Sequence, residues 1–301
     1  MNGILNLMKP PGMTSHDCVA VVRRKSGQKK VGHTGTLDPN ACGVLPLCLG
    51  QATRVIEYMD SAGKSYRCEA LLGIATDTQD IWGTVLEDRR GRVSDLREET
   101  VLEALSGFTG PILQTPPAFS AVKVKGRRLY SYARQGIEME AVPRPVTIHE
   151  IRILRYDASA GRILFDVRCS RGTYVRTLCH DLGRALGTGA SMSFLLRTAT
   201  SGLFLRDSLL LEDLLDMDQE TFASVLLPPE SGLQGLAKIE LDKDRSALFM
   251  NGNPSFSKGL SAEDSDSFPE GQPLAVFHRG RLLGVAGRTK EKGYKVLKVL
   301  K

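Results

Sequence analysis

The sequence predicts an α+β chain and not a doubly wound one, because stretches of strand and helix character are mixed without the strict alternation that a parallel sheet requires. Two further observations give its scale. With 301 residues, 42% of them hydrophobic, the chain can bury a sizeable core as one large domain or two unequal ones. After about residue 230 the texture turns to polar loops and short strands, which predicts a small β-rich domain at the C-terminal end.

The elements follow in order. A helix is expected from Ser15, whose hydroxyl would cap it, to Gly27, with Cys18, Val21 and Val22 buried. "VLPLCLG" reads as a short buried strand, "QATRVIEYM" as a helix and "SYRCEALLG" as a strand. A helix near Glu98 to Phe108 should stop at Gly107 or Gly110, and "PAFSAVKVKG", "VTIHEIRILRY" and "RILFDVRCS" read as extended. In "GTYVRTLCHDLGRALG", Val175, Leu178, Cys179, Leu182 and Leu186 share a helical stripe, so Arg176 falls on another face near the helix start. "PPESGLQG" reads as a linker and "SKGLSAEDSDSFPEGQ" as a polar loop; "PLAVFH", "LLGVAGR" and "YKVLKVL" are strands, the first two joined by a tight turn at "RGR". The expected domains are therefore 1–232 and 236–301. A unit of roughly 65 residues is marginal alone and should pack on the first.

The net charge of +6 matters less than its distribution. Arg23, Arg24, Lys25, Lys29 and Lys30 fall in one acid-free run; Lys123, Lys125, Arg127, Arg128 and Arg134 fall in another, interleaved with Tyr130 and Tyr132. From Arg279 onward eight basic residues face Glu291 alone, whereas "DSLLLEDLLDMDQE" is acidic throughout. Segregated positive surfaces suit a polyphosphate backbone, so nucleic acid is the leading partner and solvated charge the bland alternative.

Other classes are set aside. No apolar run approaches the roughly 20 residues of a membrane span, and "MNGILNLMKPPG" lacks the pattern of a signal peptide, so no membrane partner and a cytoplasmic location are expected. The six cysteines form no C-x-x-C pair and no zinc spacing with the five histidines, so no metal is expected, and Cys179 beside His180 reads as a buried thiol. "AGKS" has Tyr58 where a phosphate loop needs glycine, "GRALGTGAS" has Met192 at the third glycine position of a dinucleotide loop, and "DTQDIWG" lacks the glycine and glutamate of a calcium loop. No G-x-S-x-G elbow is present, so no cofactor is expected.

What remains is "VGHTGTLDPNACGVLP", Val31 to Pro46. Its glycines admit backbone conformations closed to other residues, and Pro39 holds Asp38 extended, so the loop can present one carboxylate at a fixed angle. Alone, it also reads as a plain Asp-Pro turn.

Six blocks in sequence carry a more specific message. "GHTGTLDPNACGVLP" resembles the signature of the TruB family of bacterial tRNA pseudouridine synthases. "LMKPPGMTSHD", "KSYR", "TPPAFSAVKVKGRRLYSYARQG", "CSRGTYVRTLCHDLG" and "LLRTATSGLF" resemble its other blocks, in the same order, from residue 1 to about 205. The region from about Lys238 is similar to the small PUA-like RNA-binding domain appended to these enzymes. The resemblance implies a mixed, mainly antiparallel sheet with flanking helices. It also implies isomerisation of uridine 55 in the tRNA T-loop to pseudouridine by base flipping, glycosidic cleavage and re-attachment at C5.

The resemblance assigns Asp38 as the catalytic acid and Arg176 as the guanidinium that keeps it ionised. Whether Asp38 attacks the sugar, attacks the base or abstracts a sugar proton stays open. The resemblance also implies that Tyr66 stacks on the base, that Tyr174 lines the pocket and that His33 fills the space left by flipped bases; read by residue type alone, Tyr66 is a strand aromatic and His33 a turn residue. Leu195 matches an apolar wall with Leu196 as rival, and Lys9 either steadies the Asp38 loop or touches phosphate. The partner implied is the T-arm stem-loop of tRNA, bound by a monomer without guide RNA. The alternative function is a tRNA-binding folding chaperone in which modification is secondary.

Overall fold

The structure, a computed structural model, describes residues 1–258, 271–289 and 293–300. The chain forms two compact units, residues 1–62 together with 199–301, and residues 63–198.

The first unit opens with strand β1 (Gly3–Lys9), helix α1 (Ser15–Ser26), and strands β2 (Val31–His33) and β3 (Cys42–Leu49). β1 and β3 run antiparallel from Gly3 opposite Leu49 to Lys9 opposite Gly43, and β2 pairs with the last three residues of β3. All eight residues of β3 are buried, which is why "CGVLPLCL" shows no alternation. A 3-10 helix, Gly50–Ala62, follows where a helix was expected. In α1 the cap is Thr14 and not Ser15. The Thr14 hydroxyl accepts from the Asp17 amide at 3.1 Å while the Asp17 carboxylate accepts from the Thr14 amide at 2.8 Å. The buried stripe is accordingly Ser15, Cys18, Val19 and Val22, with Val19 in the place expected for Val21.

The second unit holds β4 (Lys64–Leu72), β5 (Ile74–Thr76), β6 (Val85–Asp88), α2 (Glu98–Ser106), β7 (Gly110–Gln114), β8 (Lys123–Val124), β9 (Arg127–Arg128), α3 (Leu129–Ala133), β10 (Arg144–Asp157), β11 (Arg162–Cys169), α4 (Val175–Ala185) and β12 (Ala190–Thr200). The sheet order is β12-β4-β11-β10-β7, with β4, β11, β10 and β7 antiparallel to their neighbours along that run. β4 alternates strictly, burying Tyr66, Cys68, Ala70 and Leu72. α4 lies close to the start of β12: a Cβ at Gly183 would stand 2.0 Å from the Ala190 amide nitrogen, so only glycine fits there. Of "PAFSAVKVKG" only Lys123–Val124 is strand, joined to β9 by a tight turn with positive φ at Lys125 and Gly126. Pro116 and Pro117 lack the amide protons that a longer ladder needs.

The chain re-enters the first unit through β13 (Leu203–Phe204), α5 (Leu211–Asp216) and α6 (Gln219–Ser224). It then forms a sheet of β14 (Ala237–Glu240), β15 (Pro273–His278), β16 (Arg281–Arg288) and β17 (Tyr294–Val299), with α7 (Lys243–Met250) beside it. β14 is parallel to β15 and the other pairs are antiparallel. One set of alternate residues, Leu274, Val276, Leu283 and Ala286, joins Phe249 and Phe256, whose rings meet edge-on at 5.1 Å. The other set, Ala275, Phe277, Leu282 and Val285, joins Ile4, Val44, Cys48, Val55 and Met59. The small sheet thus packs on the N-terminal strands, as its size requires. "PPESGLQG" is no exposed linker: Leu233 is in that same core, and a Cβ at Gly232 would meet Met59 and Ile4 at 2.3 and 2.9 Å. The polar segment 259–270 lies outside the described residues.

Candidate active site

The seven residues singled out from sequence fall into two groups, one per unit. Lys9, His33 and Asp38 share the first. Asp38 sits in irregular backbone between β2 and β3, partly buried, and its carbonyl accepts from the Ala41 amide at 3.1 Å. Both of its neighbours are clamped. On one side the Ser15 hydroxyl lies 3.0 Å from the Leu37 amide nitrogen, from which it accepts, and 3.2 Å from the Leu37 carbonyl, to which it donates. On the other, the Pro39 carbonyl accepts from the Gly12 amide and from the Lys9 ammonium, both at 2.9 Å. Lys9 is fully buried and donates also to the carbonyls of Pro10 and Met13, at 2.9 and 2.5 Å. An ammonium spent on three carbonyls fits loop support and not phosphate contact.

Ser15 was missed because it read as the helix cap. The tandem "TS" could have signalled it, since only one of two adjacent hydroxyls can cap, and the other is left to reach elsewhere. Replacing Lys9 with methionine should keep the volume but strip three buried carbonyls of a charged donor. The expected loss is about 3 kcal/mol of unfolding free energy and at least about tenfold in turnover, read by urea denaturation and a kinetic assay. His33, half-buried, meets His16 edge-on with ring centroids 5.3 Å apart.

Tyr66, Tyr174, Arg176 and Leu195 belong to the second unit. Tyr174 immediately precedes α4, and its backbone is held at both ends by the buried Gln114 amide. Gln114 Nε2 donates to the Tyr174 carbonyl at 3.0 Å, and the Tyr174 amide donates to Gln114 Oε1 at 2.8 Å. Two residues on, Arg176 is no surface arginine: it is 5% exposed. Its guanidinium donates to the carbonyls of Thr78 at 2.8 Å and Phe119 at 3.0 Å, and stands 3.8 Å from a carboxylate oxygen of Asp80. Asp80, Thr78 and Gln114 went unnoticed in the sequence, where "DTQD" registered only as an incomplete calcium loop. Tyr66, 7% exposed, faces inward on β4 opposite Val167. On β12 Leu195 is buried and Leu196 only partly so.

The cysteines offer no rival chemistry. All six are buried free thiols; burial pushes Cys48 up to about 12 and Cys68 well above the usual thiol range, the latter with Cys179 Sγ 3.5 Å away. Of the basic clusters, Lys25 donates to the carbonyls of Leu215 (2.7 Å) and Met217, and Arg23 to that of Val31 (3.0 Å). Arg24, Lys29 and Lys30 stay exposed, as do Lys123, Arg127 and Arg128 on the β8–β9 hairpin. There the Tyr130 ring carries the guanidiniums of Arg128 and Arg134 at 5.9 and 5.4 Å. Among the described residues no helix is long and apolar enough to cross a membrane.

This arrangement has the fold of pseudouridine synthases. A solved Cbf5-Nop10-Gar1 complex contains a chain superposing with a TM-score of 0.76 at 27% identity, over 99% of this chain and 85% of that one. The structure of an H/ACA RNP bound to a substrate RNA containing 2'-deoxyuridine gives 0.73 at 25% identity, over 99% and 85%. The TruB family pseudouridylate synthase N-terminal domain matches residues 23–175, and the tRNA pseudouridylate synthase B C-terminal domain matches residues 176–234. The tRNA pseudouridine synthase B of Alkaliphilus oremlandii is 45% identical, over 100% of this chain and 98% of its own length. That of Heliobacterium modesticaldum is 47% identical over 95% and 90%. The chain belongs to the TruB family.

Proposed function

We propose that this protein converts uridine 55 in the T-loop of tRNA to pseudouridine, with Asp38 as the catalytic carboxylate. The observation that carries the reading is the clamping of Leu37 and Pro39 on either side of Asp38, which fixes one acid in a loop with no other evident need for such support. Relatives named tRNA pseudouridine synthase B over the full length of the chain support the substrate.

The isomerisation is redox-neutral. The N1–C1′ bond breaks, the base turns, C5 bonds to C1′, the C5 proton leaves to solvent and N1 gains one. An ionised oxygen at residue 38 serves sugar attack, base attack or proton abstraction equally, and Arg176 keeps that oxygen ionised in a pocket poor in water. The uridine is extruded at a cost of a few kcal/mol, offset by stacking on Tyr66, with Tyr174 and Leu195 lining the pocket and His33 holding the vacated space. Residues 1–232 carry the chemistry, and the PUA-like residues 236–301 grip the T-arm backbone. The chain works as a monomer, without guide RNA.

The test is tritium release from a T-arm minihelix carrying C5-labelled uridine at position 55, with the purified chain and no guide. Stoichiometric release with pseudouridine at that position is expected; tight binding without release means a binding protein. If six to eight phosphates are neutralised, log affinity should fall against log salt with a slope of about −4 to −7, and Arg127→Ala should flatten it by about one, read by filter binding.

A further inference from the structure

The turn between β5 and β6, together with the first two residues of β6, exposes four large apolar side chains in close succession. Ile81 is 40% exposed, Trp82 49%, Val85 55% and Leu86 66%. The turn is tied down by hydrogen bonds within itself and to β12. The Thr76 hydroxyl donates to the Asp80 carbonyl at 2.6 Å, and the Thr84 amide donates to the Asp77 carboxylate at 2.8 Å. The Ile81 amide and the Gln79 carbonyl pair with Met192 on β12, each at 3.0 Å. At Gly83 a Cβ would fall within 2.3 Å of the Thr78 hydroxyl and the Asp77 carboxylate, so a side chain there would displace groups that make the turn's hydrogen bonds.

The same residues support Arg176. Thr78 gives its carbonyl to the guanidinium and Asp80 its carboxylate, while the other Asp80 oxygen accepts from the Thr78 hydroxyl at 2.7 Å and the Trp82 amide at 3.1 Å. Asp77 and Asp80 thereby spend carboxylate oxygens within the turn, and the surface they leave outward is the Ile81–Trp82 pair. Four apolar side chains exposed this close together in sequence, next to residues that hold a buried arginine, are the kind of surface that marks an interaction site.

We propose that Ile81 and Trp82 form a stacking platform for an unpaired nucleobase of the bound tRNA, beside the uridine that reacts. The inference rests on the proposed function and extends it to a contact outside the uridine pocket. Extruding one base from a folded loop unstacks its neighbours, and a planar aromatic face accepts any base without reading its edge. The platform's continuity with the turn that supports Arg176 favours RNA over a protein occupant.

Trp82 is the single tryptophan of the chain, so emission reports on it alone. Titrating the T-arm minihelix should quench that emission by about half, with a midpoint equal to the Kd from filter binding. Trp82→Ala should raise the Kd by about 5- to 150-fold, with the single-turnover rate at saturating RNA within about threefold of wild type, and Trp82→Phe should recover most of the loss. Normal turnover by wild type with unchanged emission, and a Trp82→Ala Kd equal to wild type, overturns the platform and leaves the function standing. A wild-type chain that neither binds nor converts the minihelix overturns both.

Discussion

Asp38→Asn should bind a T-arm minihelix within about threefold of wild type yet release tritium from C5 at least about 10⁴-fold more slowly. The substitution keeps size and shape, and the clamps on Leu37 and Pro39 use Ser15, Gly12 and Lys9, none of which contacts residue 38 through those bonds. Folding should therefore be unaffected, checked by an unchanged urea midpoint. An amide cannot act as anionic nucleophile or base, so all three chemical routes fail together. Turnover within tenfold of wild type would sink the assignment and favour a chaperone whose contact with tRNA is its purpose.

Arg176→Ala should lower the single-turnover rate by about 10²- to 10⁴-fold and weaken minihelix binding by less than about fivefold. Removing this guanidinium also strips the Thr78 and Phe119 carbonyls of a donor and the Asp80 carboxylate of a nearby positive charge in a nearly dry site, so a stability loss of about 3 kcal/mol is expected alongside. Arg176→Lys separates the two effects. It keeps the charge but cannot fork across two carbonyls, so it should recover much of the stability and only part of the rate. Equal losses in rate and affinity for Arg176→Ala would identify a phosphate contact instead.

The one-residue offset in the cap of α1 shows what the sequence could and could not convey. Periodicity places the helix and its glycine stop, because backbone geometry repeats locally. It does not tell Thr14 from Ser15 as the cap, since that depends on which hydroxyl has a better acceptor elsewhere, here a carbonyl 22 residues away. Lys9 and Arg176 are similar cases. Their residue types suggest surface cations, and only the folded chain gathers the carbonyls that make burial affordable. "PPESGLQG" looked like a linker because glycine and proline mark turns, but a turn can also be buried where Gly232 admits Met59 and Ile4. The loop around Asp38 stands out because its glycine and proline pattern is local, whereas the partners that clamp it, Ser15, Gly12 and Lys9, come from another stretch of the chain.

The joining of the last strands to the first has a consequence for synthesis. Residues 63–198 form a continuous stretch with its own contacts and can reach their final arrangement while the ribosome is still at work. Ile4, Val44 and Met59 have by then already emerged, yet the Ala275, Phe277 and Val285 that cover them lie more than 200 residues further along the chain. The nascent N-terminal segment must wait, partly uncovered, until those strands are made, so a stop codon near residue 235 leaves the scaffold around Asp38 unfinished.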